Sequence, residues 1–129
     1  MSYRALIALH GNDSAENLKS CLQSFGIESD ITHNQEEAMT LARSNNHQLY
    51  AIEANLGFSM TSRIENMLAI YELVKSRVDL GLAKFVAISG TDSALEATKK
   101  RGIEAIDKLN LYRLRFDGLV KEVLALPQQ

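Results

Sequence analysis

Three short apolar runs place the strongest constraint on how this chain can fold. They span residues 5–9, 49–52 and 85–88, and each has the length of a β-strand without alternation of apolar and polar side chains. A strand with no polar face needs cover on both sides, as in a parallel sheet. The runs therefore predict a parallel sheet that lies between two layers of helices.

Two weaker strand patterns and five helical patterns complete this arrangement. Residues 27–32 form a more polar strand, which we expect near an edge of the sheet, and residues 103–106 form the fifth strand. Segments with apolar residues at helical spacing follow the strands. The sequence thus predicts a flavodoxin-like (βα)5 fold of the α/β class, a three-layer sandwich with a five-stranded parallel sheet. We expect a single domain over residues 1–129.

Short polar residues mark the expected starts of three helices. Asn12 or Asp13 is expected to cap the first helix through its side chain. Asn34 with Glu37 resembles a capping box at the start of the second helix. Asn110 is expected to cap the last helix, which Pro127 prevents from extending further.

Composition excludes several classes of protein. The net charge of −2 gives no basic excess for nucleic acid, and no apolar run approaches the roughly 20 residues of a bilayer span. The N-terminus lacks the pattern of a signal peptide. The lone Cys21 excludes an internal disulfide and fits a reducing compartment, with its side chain buried as a small apolar group. We expect a cytoplasmic protein without nucleic-acid or membrane partners.

Polar residues gather where the carboxyl ends of the predicted strands meet at one edge of the sheet. Glu53 ends the third strand and is followed by a loop that contains Asn55. Ser89 ends the fourth strand, Lys108 follows the fifth, and the segment 10–13 follows the first. A carboxylate, a hydroxyl and an ammonium thus come together from three strand ends. The alternative for Glu53 is a charge at a strand end that faces solvent and has no functional role.

The three histidines carry weaker signals. His10 belongs to the same edge of the sheet, where we expect a hydrogen-bonded ring instead of a metal ligand, because no second His or Cys lies at ligand spacing. His33 and His47 lie in loop-like sequence and are predicted to be exposed to solvent.

With this ordered set of residues the chain resembles the receiver domain of two-component response regulators over essentially its whole length. The matching pieces are the segment 53–57 after the third strand, the segment 88–90 after the fourth, and Lys108 after the fifth. The resemblance implies that Glu53 stands where receivers have a phosphate-accepting aspartate. It also implies that Ser89 matches the hydroxyl that contacts the phosphoryl group, and that Lys108 matches the lysine that neutralises its charge.

The chain departs from this family where the phosphate chemistry is carried out. Receivers have two acidic residues after the first strand that help to hold Mg²⁺, and the matching positions, at residues 9–11, contain no carboxylate. Asp13 lies further along, with the rim of the pocket as the alternative to its role as a helix cap. Glu53 has one methylene more than Asp, which moves its oxygens by more than about 1 Å, a shift that can cost about 100-fold in rate. It also lets Glu53 pair directly with Lys108.

Two further departures concern the output of such a domain. Ala105 occupies the position of an aromatic residue that moves on phosphorylation in receivers, and Leu109 replaces the usual proline after the lysine. The last helix also has apolar residues on more than one face, which indicates self-association or a partner: Leu111, Phe116, Leu119 and Val123.

These observations predict a stand-alone receiver-like signalling module that acts by protein–protein interaction and is neither phosphorylated nor an enzyme. We expect no cofactor, and as partner a protein such as a histidine kinase or a downstream effector. One alternative is a phosphorylatable receiver that uses Mg²⁺ and carries the phosphoryl group on Glu53 or a nearby aspartate. The other is a small-ligand or nucleotide-binding domain with a pocket bordered by His10, Glu53 and Ser89.

Overall fold

All five predicted strands are present and pair in parallel in one sheet, in the order β2-β1-β3-β4-β5. The computed structural model describes residues 3–59, 61–109 and 116–127, apart from the side chains of residues 116 and 117. The strands are β1 (Tyr3–Ala8), β2 (Ile27–Thr32), β3 (Leu49–Glu53), β4 (Lys84–Ser89) and β5 (Ala105–Asp107). The prediction of a flavodoxin-like α/β fold with a parallel sheet is confirmed, and β2 lies at an edge as expected.

The helices cover both faces of this sheet, as the apolar strands require. They are α1 (Asn12–Gln23), α2 (Gln35–Ala42), α3 (Glu65–Asp79), α4 (Asp92–Lys100) and α5 (Phe116–Leu124). Successive side chains of a strand point to opposite faces, so Leu6 packs in the cluster with α2, α3 and α4, whereas Ile7 packs in the cluster with α1 and α5. Two cores, one on each face of the sheet, therefore hold the strand ends in place.

The helix starts agree with the sequence in one case and differ in others. Asn34 caps α2, since its side chain accepts a hydrogen bond from the Glu37 amide over 2.8 Å, as predicted. The prediction for α1 is wrong: Gly11 is the capping residue, and no side chain caps the helix there. Asn12 is already the first residue of α1. The cap predicted at Asn110 lies outside the described residues.

The last strand and the last helix also differ from their predicted bounds. Strand β5 pairs with β4 through Ala105–Asp107, so it begins two residues later than the sequence pattern predicts. In α5 both Leu119 and Val123 are buried in the core, so they do not contribute to an exposed apolar strip. Leu111 and the side chain of Phe116 lie outside the described part of the chain, and self-association through the last helix stays a prediction.

Two smaller observations bear on the predicted character of the protein. Cys21 is half-buried and packs at the border of the core beneath α1 and α5, so it is less buried than predicted. In the described residues, none of the helices has the length and apolar character needed to span a bilayer.

Candidate functional site

A buried ion pair lies at the carboxyl end of the sheet. Glu53 ends β3 with only 2% of its side chain exposed, and its Oε1 lies 3.0 Å from the Nζ of Lys108, which follows β5. The Lys108 side chain is 24% exposed, so the ammonium lies between the carboxylate and solvent. The alternative interpretation of Glu53 as a solvent-facing charge is therefore wrong, and the pairing that the longer side chain permits is present.

His10 contacts the same carboxylate through its backbone and holds a loop through its ring. Its backbone amide donates to Glu53 Oε1 over 3.0 Å. Its ring Nε2 accepts a hydrogen bond from the Gly57 amide, also over 3.0 Å. An imidazole nitrogen that accepts from an amide carries no proton, so the ring is neutral with its proton on Nδ1, 3.9 Å from Glu53 Oε1. His10 is thus a hydrogen-bonded residue of the rim, as predicted.

The loop after β3 is fixed by several hydrogen bonds besides the one to His10. Asn55 donates to the carbonyl of Phe58 over 3.2 Å, and Asn66 of α3 donates to the carbonyl of Leu56 over 2.9 Å. Gly57 has a φ of +83°, and a Cβ at this position would lie 2.5 Å from Nδ2 of Asn66. This position accepts glycine because L side chains rarely adopt such a φ. The tight turn is what brings the Gly57 amide to the His10 ring.

Ser89 is positioned through Asn55 and does not face the open cleft. It is fully buried at the end of β4, and its hydroxyl donates to Asn55 Oδ1 over 3.2 Å while it accepts from the Thr91 amide over 3.0 Å. The hydroxyl therefore uses both its donor and an acceptor position inside the protein. The sequence places Ser89 at the correct strand end, but its contact with the cleft is indirect.

These residues surround a cleft of about 270 Å³ at the carboxyl end of the sheet. Of the site residues predicted from the sequence, His10, Glu53, Asn55 and Lys108 line the cleft. Asp13 is exposed in the first turn of α1 and is not part of the lining, so it neither caps the helix nor borders the pocket. The structure thus brings four of the six predicted residues together around one small cleft.

Three residues of the lining were not singled out from the sequence, namely Ser59, Gly90 and Thr91. Gly90 and Thr91 follow β4 directly, so the rule that placed Ser89 at this edge of the sheet was sufficient to find them. Ser59 gives no comparable signal, because it reaches the cleft only through the turn that Gly57 makes.

The side chains of the cleft do not fit the Mg²⁺ site of a phosphorylated receiver. Mg²⁺ takes oxygen ligands and is usually bound through one or two carboxylates. Among the residues that line the cleft, Glu53 is the one carboxylate, and its Oε1 already binds Lys108 and the His10 amide. Within the described ranges no group of three His, Cys, Asp or Glu side chains is arranged to hold a metal ion.

The remaining histidines lie away from the cleft. His33 is exposed, as predicted, and its Nδ1 donates to the carbonyl of Leu9 over 2.7 Å. The prediction for His47 is wrong, because this residue is only 1% exposed. Its Nε2 lies 2.8 Å from Asp30 Oδ2, and its carbonyl accepts a hydrogen bond from Arg77. Burial holds the pKa of His47 below its ordinary value of 6.5, and the bond to Asp30 offsets only part of that effect.

Comparison with known proteins gives a result for the fold alone. No protein-family model and no curated protein matches this chain. A response regulator from Clostridium difficile is similar in structure, with a TM-score of 0.63, 22% identity and 95% coverage of both chains. A chain of the complex between histidine kinase ThkA and response regulator TrrA has a TM-score of 0.66 and 23% identity, and the match covers 95% of this chain and 99% of that one.

A third similar structure is a streptococcal protein from a family of redox sensors that evolved from two-component response regulators. Its TM-score is 0.66 at 16% identity, and the match covers 95% of the present chain. The present chain spans half the length of that sensor. Together with the sheet order and the strand-end residues, these similarities show that the chain has the receiver fold of response regulators.

Proposed function

We propose that this chain is a receiver-like signalling module that works through protein–protein contacts in one fixed state and is not switched by phosphorylation. The observation that carries the proposal is the 3.0 Å ion pair between Glu53 and Lys108. In receivers, which this fold resembles, the matching lysine neutralises the phosphoryl group. Here a carboxylate of the protein itself pairs with that lysine.

The charge of Glu53 imitates part of a phosphorylated aspartate. Its longer side chain moves a carboxylate toward Lys108, but it brings one charge and two oxygens where a phosphoryl group brings nearly two charges and three acceptor oxygens. Because Glu53 is 2% exposed, water screens the pair weakly. The pair therefore favours a single arrangement of the β3 and β5 ends whether or not a phosphodonor is present.

The hydroxyl that would report on phosphorylation is engaged elsewhere. Ser89 donates to Asn55 and accepts from the Thr91 amide, so moving it toward Glu53 breaks two hydrogen bonds inside the protein. Ala105 of β5, in place of an aromatic residue, leaves no large ring to move with it. Both features support a protein whose surface is held in one state.

A module of this kind acts through the partner that it binds. We propose a histidine kinase or a downstream effector as the partner, in line with the complex of TrrA with the kinase ThkA. A cytoplasmic location and the absence of cofactors and of nucleic-acid partners belong to the same proposal. A hydrolytic enzyme is disfavoured, because the partners of the Ser89 hydroxyl among the described residues are an amide side chain and a backbone amide, and neither is a base.

The direct test is incubation with a small phosphodonor or with beryllofluoride in the presence of Mg²⁺. We expect no change in intact mass with the phosphodonor and no shift of backbone NMR signals with beryllofluoride. The double variant Glu53→Asp with His10→Asp restores two carboxylates to the cleft and serves as a positive control for the reagents. Mg²⁺-dependent modification of the unaltered protein at Glu53, or at an aspartate such as Asp13, contradicts the proposal.

The cleft itself supports a second candidate, the binding of a small polar ligand. Its volume of about 270 Å³ lies below the range of roughly 300 to 1,000 Å³ that is usual for ligand pockets. This size favours an ion or a very small molecule over a nucleotide. A thermal-shift screen of small ions, small polar molecules and nucleotides tests this alternative, and a compound that raises the melting temperature of the unaltered protein but not of Glu53→Gln establishes it.

A further inference from the structure

One hydrogen bond at the rim depends on the protonation state of a side chain. The Gly57 amide donates to Nε2 of His10 over 3.0 Å, and this is possible only while Nε2 carries no proton. In the imidazolium form both ring nitrogens carry a proton, so the ring has two N–H donors and no acceptor. Protonation of His10 therefore replaces an attraction between the ring and the Gly57 amide by the opposition of two N–H groups.

We propose that His10 is a proton-operated latch for the loop formed by residues 55–59. With a neutral ring, the latch ties this loop to the end of β1 across 47 positions of sequence. With a protonated ring, the loop loses that bond and its turn moves away from the cleft. Histidine is the side chain whose unperturbed titration falls between about pH 5 and 8, which is therefore the range over which the latch is tested.

The ring has the access to solvent that such a latch requires. The His10 side chain is 35% exposed and lines the cleft. Gly57 and Ser59 are exposed as well, so the tip of the loop can move while Asn55 and Leu56 at its base stay buried. The Gly57 amide has no other hydrogen-bond acceptor among the described residues, which makes the bond to the ring the contact that fixes this amide.

The charged groups around the ring come from three elements. Glu53 of β3 lies 3.9 Å from Nδ1 of the ring, and Lys108 after β5 pairs with the same carboxylate. His33 after β2 bonds the carbonyl of Leu9, next to His10. Asp107 accepts from the Leu109 amide and Asp13 is exposed on α1, and within the described ranges neither forms an ion pair with His10.

The consequence for signalling rests on the proposed function. The loop borders the cleft and the ion pair of Glu53 with Lys108, so a change in its position alters the surface that a partner meets at this edge of the sheet. Proton binding then takes the place of phosphate as the event that changes this surface. The chemistry of the latch itself does not depend on the partner or on phosphorylation.

The test is an NMR titration of the ¹⁵N-labelled protein without Mg²⁺ or phosphodonor, from about pH 8 to 5. At the upper pH the ring nitrogens of His10 should show an unprotonated Nε2 and a protonated Nδ1. On acidification, the Gly57 amide signal should move with the same midpoint as the His10 ring, together with the amides of Phe58 and Ser59. A ring protonated on Nε2 at the upper pH, or a ring that stays neutral throughout, overturns the proposal.

Two variants separate the latch from other titrations. In His10→Gln, where the side-chain carbonyl accepts from Gly57 at every pH, the amide transition should disappear. In His33→Gln it should persist with an unchanged midpoint. Persistence in His10→Gln, loss in His33→Gln, or titration of the His10 ring in the unaltered protein without movement of the Gly57 amide contradicts the latch. Phosphorylation of Glu53 would refute the proposed function and leave these results as they are.

Discussion

The molecule contains two triads of the same composition, a histidine, a carboxylate and a cation, with opposite patterns of burial. In the rim triad of His10, Glu53 and Lys108, the carboxylate is 2% exposed and the histidine is 35% exposed. The edge triad consists of Arg4, Asp30 and His47. There the carboxylate is 31% exposed and the histidine is 2% exposed.

The difference in burial assigns the triads to different tasks. A buried histidine can stay neutral and lose little, so the edge triad holds β1, β2 and the start of β3 together. A buried carboxylate is costly when it has no partner, so Glu53 depends on Lys108 as its counter-charge. The rim triad also opens to a cleft, whereas the ring of His47 packs beside Tyr50. Residue type alone does not separate a site from a structural contact.

The largest effect is expected from removing the cation of the rim triad. Lys108→Met leaves the Glu53 carboxylate buried, with the His10 amide as its remaining hydrogen-bond donor among the described residues. Breaking a buried pair in this way typically costs about 3–5 kcal/mol of the free energy of unfolding. Because Lys108 is partly exposed, we expect a loss at the lower end of this range, about 3 kcal/mol. Glu53→Gln should cost only about 1 kcal/mol, because the amide oxygen still accepts from His10 and the ammonium turns to solvent.

Urea denaturation at neutral pH measures both losses. The double variant Glu53→Gln with Lys108→Met should be more stable than Lys108→Met alone, since it has no unpaired buried charge. Lys99→Met, at an exposed lysine on α4, is the matched control for loss of one positive charge. Equal losses for Lys108→Met and Lys99→Met would show that the rim triad does not depend on its cation.

The rim triad was within reach of sequence analysis, and the reasons are physical. Apolar runs long enough for one strand fix where each strand ends, and parallel strands bring those ends to one edge. Glu53 and Lys108 each follow such a run, so their proximity could be predicted across 55 residues. The contact of Gly57 with His10 could not, because it depends on a positive φ within a loop.

The edge triad was missed because nothing local indicates it. His47 follows Arg43, Ser44, Asn45 and Asn46, a polar stretch that is typical of an exposed loop. Its burial results from Asp30 on β2 and Arg77 on α3, which lie 17 and 30 positions away. The prediction of where β5 begins was wrong for a similar reason, since the partner strand β4 decides which residues pair.

The second prediction concerns the edge triad and the pH dependence of stability. Burial lowers the pKa of His47, so the unfolded chain binds a proton more readily than the folded protein. Burial raises the pKa of Asp30, but the hydrogen bonds from His47 and Arg4 outweigh that and hold it below 3.8. Both pKa shifts change the free energy of unfolding in the same direction. Their contribution to stability is fully present above about pH 6.5, and it decreases on acidification, first through His47 and at lower pH through Asp30.

His47→Gln isolates the first step, because its amide still donates to Asp30 but does not titrate. Urea unfolding at several pH values between about 8 and 5 should show a loss of stability in the unaltered protein that is smaller in the variant. The loss should be less than that caused by Lys108→Met, since the buried ring can remain neutral. His33→Gln, at an exposed histidine, is the control. An acid-induced loss of equal size in His47→Gln would mean that His47 does not contribute to it.

The smallest effect is expected at the outer end of the edge triad, where Arg4 also pairs with Glu28. Nη1 of Arg4 lies 2.8 Å from Oε2 of Glu28, but the two side chains are 37% and 62% exposed, so water and salt screen the pair. Exposed pairs of this kind contribute little, and Glu28→Gln should change the free energy of unfolding by less than about 0.5 kcal/mol. Arg4 keeps its bond to Asp30 in this variant. Urea denaturation at low and high salt checks the value, and a loss above about 1 kcal/mol that salt does not reduce would place Glu28 inside the structural network that Asp30 and His47 form.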